Sequence, residues 1–259
     1  MHRSLLPPRV VVAVFASLLV FTATAAQAAP GVGLAWDHCQ GEAGAVQNKV
    51  FACDTNAGLD IAYGTLTLAV PHPQTLGIDF DLVLVSASPV IPAWWQVINP
   101  GSCRPSSVTA PQLVDPTATV CEDWGHGVAS GAISTGLFDP IACLGPAPPA
   151  NRTGIHVGAF APVEEPQDMV AGQEYFVFSL RINHAKTIGT GACGGCEVPV
   201  CIIFCGGRLE SLIAEPVLIG PAPSIPGGNV ITWQGGSQNC LGATPTRRET
   251  WGSVKSLYR

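Results

Sequence analysis

The feature that most constrains the fold is a run over residues 174–183 in which apolar side chains fall at every second position. They are Phe176, Phe178, Leu180 and Ile182. A period of two places alternate side chains on opposite faces of a β-strand, so this row faces a core and the other row faces water. After a glycine- and cysteine-rich turn, the spacing returns at Val198, Val200, Ile202 and Phe204. Residues 174–212 are therefore predicted to hold two sheet strands joined by a cysteine-stapled loop.

Similar short runs occur along most of the chain. They predict strands at 65–70, 78–85, 92–98, 108–114, 128–137, 155–159, 209–219 and 230–233. Helical periodicity is convincing only in the last dozen residues. About ten short strands separated by turn signals, without intervening helices, indicate an all-β protein. The predicted architecture is an antiparallel β-sandwich with disulfide-stapled loops, of the jelly-roll or immunoglobulin/cohesin-like type.

The N-terminus has the three regions of a secretory signal peptide. Arg3 and Arg9 precede an apolar run over 10–21, and small residues at Ala26 and Ala28 indicate cleavage after Ala28. That run is shorter than the roughly 20 residues of a membrane span, and no later run is long enough. The chain is expected to be secreted or held at the cell surface, with a signal peptide over 1–28, one sandwich domain over 29–244 and a basic tail over 245–259.

The charge balance argues against one class of partner. Loss of Arg3 and Arg9 with the signal peptide leaves 10 basic and 18 acidic side chains, a formal net charge of −8. An acidic chain lacks the basic surface that binds nucleic acid. An extracellular glycan or protein is the expected partner, and the sequence does not indicate an oligomeric state.

The ten cysteines all follow the signal peptide, and an even number in an exported chain predicts disulfides. Proximity along the chain favours two pairs, Cys39 with Cys53 and Cys103 with Cys121. The complete set is Cys39, Cys53, Cys103, Cys121, Cys143, Cys193, Cys196, Cys201, Cys205 and Cys240.

The densest cysteine cluster spans residues 193–205. A redox CxxC motif has its first cysteine at a helix N-terminus, and a zinc ribbon needs a second CxxC motif. Here a strand-like run follows Cys196. Structural disulfides are therefore favoured over metal binding or redox chemistry. On a strand Cys201 and Cys205 would lie about 13 Å apart, so they are expected to have different partners.

Two further segments suggest ligand sites. Asp54, Asn56 and Asp60 occupy positions one, three and seven of a loop, as in calcium-binding loops, but Gly58 and Thr65 break the EF-hand pattern and a plain turn is the alternative. Trp94 and Trp95 are adjacent, so on a strand they would face opposite sides. One of them is then expected to be exposed as a stacking surface for a sugar or a protein, unless a neighbouring loop covers it.

A catalytic site has less support from the sequence. Asp79 and Asp81 share a strand face about 7 Å apart, a spacing within the range of paired catalytic carboxylates. His126 follows Glu122 and Asp123 and is a candidate base, although a polar turn explains it as well. The sequence contains no GxSxG, HExxH or phosphate-loop motif. A secreted hydrolase is the alternative to a non-enzymatic binding or structural module.

Several phrases of the sequence are distinctive: VQNKVFACDTNAG, PAWWQ, INHAKTIGTGACGGC, ITWQGG and TWGSVKSLYR. On these phrases the chain resembles a group of exported proteins of environmental bacteria, and that resemblance implies no mechanism. Its strand pattern also resembles cohesin-like bacterial β-sandwiches. This second resemblance implies a fold and brings no recognition motif.

Overall fold

The computed structural model describes residues 30–112, 121–135, 149–220 and 228–235. The predicted signal peptide, the basic tail over 245–259, Cys143 and Cys240 lie outside the described residues, as does most of the proline-rich loop over 140–149. Predictions about those segments are not addressed by the structure.

Thirteen strands and one short 3₁₀ helix make up the regular structure of the described residues. The strands are β1 (Gly31–Trp36), β2 (Asn48–Lys49), β3 (Leu59–Thr67), β4 (His72–Ser86), β5 (Val108–Thr109), β6 (Glu122–Asp123), β7 (Ser130–Thr135), β8 (Arg152–Phe160), β9 (Gln167–Met169), β10 (Glu174–Asn183), β11 (Val200–Ser211), β12 (Val217–Ile219) and β13 (Val230–Trp233).

These strands form two sheets. The smaller sheet has the order β1-β3-β10-β5, with β6 paired to β10. The larger sheet has the order β2-β13-β11-β4-β8-β7, with β12 paired to β11 and β9 to β4. Pairing is antiparallel except between β6 and β10 and between β2 and β13. The predicted all-β sandwich is confirmed.

The core lies between the two sheets. The alternation predicted for β4 and β11 is confirmed, because one row of each strand is buried in the main core. These residues are Ile78, Phe80, Leu82, Leu84, Val200, Ile202 and Phe204. Burial of each such side chain contributes about 1.5–3 kcal/mol. The same alternation leaves residues 77, 79 and 81 of β4 on the outer face of the larger sheet.

Strand β10 departs from the predicted pattern at one point. Its pairing with β3 shifts between Phe176 and Phe178, which marks a β-bulge. Phe178 faces the main core, whereas Phe176 packs on the other side of the sheet against Tyr63. The prediction that Phe176 and Phe178 share a face is wrong, because a bulge adds one residue and reverses the alternation. The alternate residues of β10, which were predicted to face water, are not all exposed either, since Val177 and Ser179 are buried.

Residues 92–98 do not form the predicted strand. Ala93–Trp95 is a 3₁₀ helix, and the Trp94 amide donates a hydrogen bond to the carbonyl of Gly194, 2.9 Å away. A strand would direct the two adjacent indoles to opposite faces. The helical turn instead lets both rings enter the core, where their centroids lie 4.9 and 5.3 Å from that of Trp233.

Disulfides join segments that are distant in sequence. The observed pairs are Cys39–Cys121, Cys53–Cys196 and Cys103–Cys193, with sequence separations of 82, 143 and 90. The predicted pairs of Cys39 with Cys53 and of Cys103 with Cys121 are wrong. In the two-sheet fold each of these cysteines lies next to a cysteine from a distant loop rather than next to its neighbour in sequence. Cys201 and Cys205 are also disulfide-bonded. Such a set is typical of an oxidising compartment.

Cys193 and Cys196 lie in the loop between β10 and β11. Because β10 belongs to the smaller sheet and β11 to the larger, this loop crosses from one sheet to the other. Its two disulfides fix the crossing at both Cys53 and Cys103. Among the described residues, no helix has the length and apolar character needed to cross a membrane.

Candidate functional site

Trp94 and Trp95 are both buried, with relative exposures of 0% and 2%. The expectation that one of them is exposed is wrong. Trp94 Nε1 donates a hydrogen bond to Thr187 Oγ1 at 3.0 Å, and the Arg104 guanidinium lies 3.5 Å from the centroid of the Trp94 ring. Neither indole face is therefore available for a ligand to stack on, and the pair forms part of the aromatic core.

Arg104 is a buried cation that the sequence analysis did not single out. Its side chain donates hydrogen bonds to the backbone carbonyls of Trp94, Asn183 and Ala185, and it is 1% exposed. Burial lowers the pKa of Arg104 to about 10, so the group still carries its charge at neutral pH. Arg104 ties the 3₁₀ helix to the end of β10, a structural role.

The predicted calcium loop uses its side chains for contacts with the loop after β10. Asn56 Oδ1 accepts hydrogen bonds from the amides of Thr187 and Ile188 at 2.8 and 2.9 Å. Asp60 Oδ2 lies 2.6 Å from His184 Nε2, while Asp54 is exposed. Two of the three predicted ligands thus have protein partners, and calcium binding here stays a prediction.

One other group of possible metal ligands lies close together in the described part of the chain. It consists of Cys39, Glu42 and Cys121. The two sulfurs are bonded to each other, so this group cannot supply a thiolate to a metal.

The predicted acids fall on different sheets. Glu122 and Asp123 form β6 in the smaller sheet, where Asp123 accepts hydrogen bonds from the amides of Gly125 and Gly127 and closes a turn. His126 lies 3.5 Å from Glu122 in the same turn, and both are exposed. Asp79 and Asp81 lie on β4 of the larger sheet. The structure therefore does not bring the four acids together with His126 in one cleft.

Asp79 and Asp81 do share a face, as predicted, and a histidine from the next strand lies between them. His156 Nδ1 is 2.9 Å from Asp81 Oδ1, and His156 Nε2 is 3.3 Å from Asp79 Oδ1. Hydrogen bonds to Asp79 and then to Asp81 raise the pKa of His156 to about 9. At neutral pH the ring is protonated and donates to both carboxylates.

Phe160 lies beside this cluster on the outer face. A Cβ atom placed on Gly77 would meet Phe160 Cδ1 at 2.8 Å, and one placed on Gly158 would meet Phe160 Cε2 at 2.6 Å. Opposite edges of the ring therefore rest on the two glycines, so one ring face lies against the sheet and the other faces solvent. The side chain is 47% exposed. A large side chain on either glycine would occupy the position of the ring.

We call this surface the outer platform and define it by Gly77, Asp79, Asp81, His156, Gly158 and Phe160. Strand register places its neighbours: Arg208 of β11 pairs with Asp79, and Ser130 of β7 pairs with Phe160. Glu210 of β11 forms an ion pair with Arg208. The Phe160 ring thus shares one face of the sheet with several hydrogen-bonding side chains.

The sequence contains one signal for this site, in the alternation of β8. In β8 the apolar row is Ile155, Val157 and Ala159, so Phe160 falls on the row that alternation turns towards water. An aromatic residue on that row is a candidate exposed ring. The contacts with Asp79 and Gly77 depend on the pairing of β4 with β8, which no local pattern specifies.

A separate cavity of about 390 Å³ lies beside the 3₁₀ helix, at the end of the sandwich. Its wall includes Trp95, the charged side chain of Arg152 and four neutral polar residues, Gln96, Asn99, Ser102 and Thr135. No aspartate, glutamate, histidine or cysteine is among the described residues that line it.

No family model matches the sequence, and no curated protein matches it. Among solved structures, the chain is similar to the second type II cohesin module from the cellulosomal adaptor ScaA scaffoldin of Acetivibrio cellulolyticus. The similarity covers 73% of this chain and 89% of that chain, with 9% sequence identity and a TM-score of 0.30. Similarity at this level carries no argument about function. The resemblance to exported proteins of environmental bacteria stays a prediction.

Proposed function

We propose that this protein is an exported, non-enzymatic binding module that contacts its partner through the outer platform. The observation that carries the proposal is the Phe160 ring, which rests on Gly77 and Gly158 and is 47% exposed. Aromatic side chains left in solvent supply large contact areas in recognition. This replaces Trp94 and Trp95 as the contact residues.

The rigidity of the platform supports a role in binding. Phe160, Asp79 and His156 all lie on paired strands of the larger sheet, and hydrogen bonds fix the two charged groups relative to each other. Each rotamer-rich side chain that is ordered on association costs about 0.5–1.5 kcal/mol. A surface that is already ordered avoids much of this cost.

The arrangement of acids favours binding over hydrolysis. Glycoside hydrolysis needs one carboxyl group that acts as an acid and a second that acts as a base or nucleophile across the scissile bond. On the platform both carboxylates engage one protonated His156. The other predicted acids lie on the opposite sheet. A flat face with this charge arrangement is suited to holding a ligand.

Export is supported by the disulfides and by the predicted signal peptide. The three described pairs close loops that a reducing cytosol would leave open. The partner is therefore expected outside the cell, as a glycan or a protein.

Co-sedimentation with envelope material from the producing organism tests the proposed function. We expect the mature wild-type protein to sediment with this material and Phe160→Ala to lose at least tenfold in affinity. Val163→Ala removes an exposed apolar side chain from the loop after β8 and is the matched control. Equal sedimentation of the Phe160→Ala and wild-type proteins, or none by the wild type, would contradict the proposal.

A further inference from the structure

We infer that the ligand of the outer platform is a pyranose ring of a glycan, which stacks on Phe160 and donates hydroxyl hydrogen bonds to Asp79. This inference rests on the proposed binding function and names the chemical class of the ligand. It moves sugar recognition away from Trp94 and Trp95, where it was expected, to a site on β4 and β8.

The orientation of the ring is the first reason. Phe160 presents a face rather than an edge, because opposite edges of the ring rest on Gly77 and Gly158. One side of a pyranose ring carries several C–H groups, whose partial positive charge is attracted to the negative face of an aromatic ring. The two rings are similar in size, so a sugar can cover Phe160 without a surrounding pocket.

The second reason is the hydrogen-bonding capacity beside the ring. Asp79 Oδ1 would lie 2.8 Å from a Cβ atom on Gly158, so the carboxylate adjoins the aromatic ring on that glycine. His156 engages this same oxygen. Among the described residues, the Asp79 Oδ2 atom accepts no hydrogen bond and forms no ion pair, because His156 contacts Oδ1. A carboxylate accepts several hydrogen bonds, so Oδ2 is suited to accept from a sugar hydroxyl.

The third reason is the charge around the ring, which argues against a protein partner. Cores of protein–protein interfaces are depleted in charged residues. Here Asp79 adjoins the ring at Gly158, and strand pairing places Asp81, Arg208 and Glu210 on the same face of the sheet. Sugar hydroxyls both donate and accept, so they can pair with carboxylates and a guanidinium at once.

Titration calorimetry with soluble oligosaccharides tests the inference. The probes are cello-, xylo- and chito-oligosaccharides of four to six units, each titrated into the disulfide-bonded mature protein. We expect at least one series to bind, and Phe160→Ala to weaken that binding at least tenfold. Phe160→Trp is expected to keep or tighten it, because the larger ring retains the stacking face.

Gly158→Ala tests the position of the Phe160 ring without replacing Phe160 itself. Its methyl group would lie 2.6 Å from the Phe160 ring and 2.8 Å from Asp79 Oδ1, so it should lift the ring and weaken binding at least fivefold. Gly206→Ala is the matched control on the same sheet, since its nearest contact among the described residues would be the Ile219 carbonyl oxygen at 3.6 Å. Unfolding midpoints of both variants establish that they are folded at the titration temperature.

The outcomes separate this inference from the proposed function. If no oligosaccharide binds, or if binding is unchanged in Phe160→Ala, the sugar assignment is overturned. Envelope sedimentation that still depends on Phe160 and is abolished by protease treatment of the envelope would then identify a protein partner and leave the proposed function standing. Sedimentation that does not depend on Phe160 would overturn both the sugar assignment and the proposed function.

Discussion

At the scale of single residues, two buried or half-buried cations organise this protein. Arg104 donates hydrogen bonds to three backbone carbonyls of two segments, and His156 bridges two carboxylates on the outer face of the larger sheet. Arg104 stabilises the fold, and His156 holds the charged groups of the platform in place. Each gives a prediction that can be measured without knowledge of the ligand.

Replacement of Arg104 by alanine should lower the free energy of unfolding by about 2–4 kcal/mol, because it leaves buried carbonyls without donors. Urea denaturation measures this change. Arg208→Ala is the control, since its half-exposed side chain is expected to matter by about 0.5 kcal/mol or less. If Arg104→Ala lowered the free energy of unfolding no more than Arg208→Ala, the three carbonyls would have found other donors and the prediction would be wrong.

His156 should make stability depend on pH in the alkaline range. Its pKa is raised from 6.5 to about 9 in the folded protein, so its contribution is complete below pH 6.5, falls above it and is lost as the pH passes 9. Allowing for solvent screening of a side chain that is 32% exposed, the loss should be about 1–2 kcal/mol.

Urea unfolding at intervals from pH 6 to pH 10 measures this loss, with His156→Gln as the reference because it cannot titrate. The wild type should lose about 1–2 kcal/mol more than the variant over this range. Parallel curves for the two proteins would mean that the aspartates do not hold the proton on His156.

At the scale of secondary-structure elements, alternation of apolar residues predicted β4, β8 and β11 well. In each of these strands the apolar row is the one that is buried in the main core. It failed at two places where a tertiary partner decides the conformation. The 3₁₀ helix at Ala93–Trp95 depends on the carbonyl of Gly194, and the β10 bulge depends on its pairing with β3. Neither partner is visible in the local sequence.

The outer platform was predictable only in part for the same reason. Alternation placed Asp79 and Asp81 on one face of β4, and this is confirmed. His156 and Phe160 join them through the register of β8 against β4, which pairs Asp81 with His156 and Asp79 with Gly158. Register over this distance comes from the whole sheet, so the site could not be assembled from short-range patterns.

The pairing of β3 with β10 gives a prediction at this scale. A methyl group on Gly64 would lie 2.2 Å from the Phe178 ring in the main core, so Gly64→Ala should destabilise the protein by about 1–3 kcal/mol through overpacking. Thermal unfolding monitored by circular dichroism measures this effect. Gly206→Ala is again the control, and an equal melting temperature for the two variants would contradict the close packing of β10 on β3.

At the scale of the whole molecule, the two disulfides of the loop between β10 and β11 are separate from the platform. The Cys53–Cys196 and Cys103–Cys193 pairs fix the loop that crosses between the sheets, whereas the platform lies on β4 and β8 and contains no cysteine. Substitution of these cysteines should therefore lower stability without weakening binding.

Removal of one crossing disulfide tests this separation. The Cys53→Ser, Cys196→Ser double variant should lose about 2–5 kcal/mol of stability, because the bond closes a loop of 143 residues. At a temperature well below its melting point it should still sediment with envelope material like the wild type. A matching loss of binding in the folded variant would show that the platform depends on the crossing loop.

The central claim is that a partner covers Phe160. Hydroxyl-radical footprinting with mass spectrometry measures this directly, with and without saturating envelope material. We expect oxidation of Phe160 to fall at least fivefold on binding, while Leu218, an exposed side chain on β12, stays as reactive as in the unbound protein. Unchanged oxidation of Phe160 in the bound protein would contradict the claim.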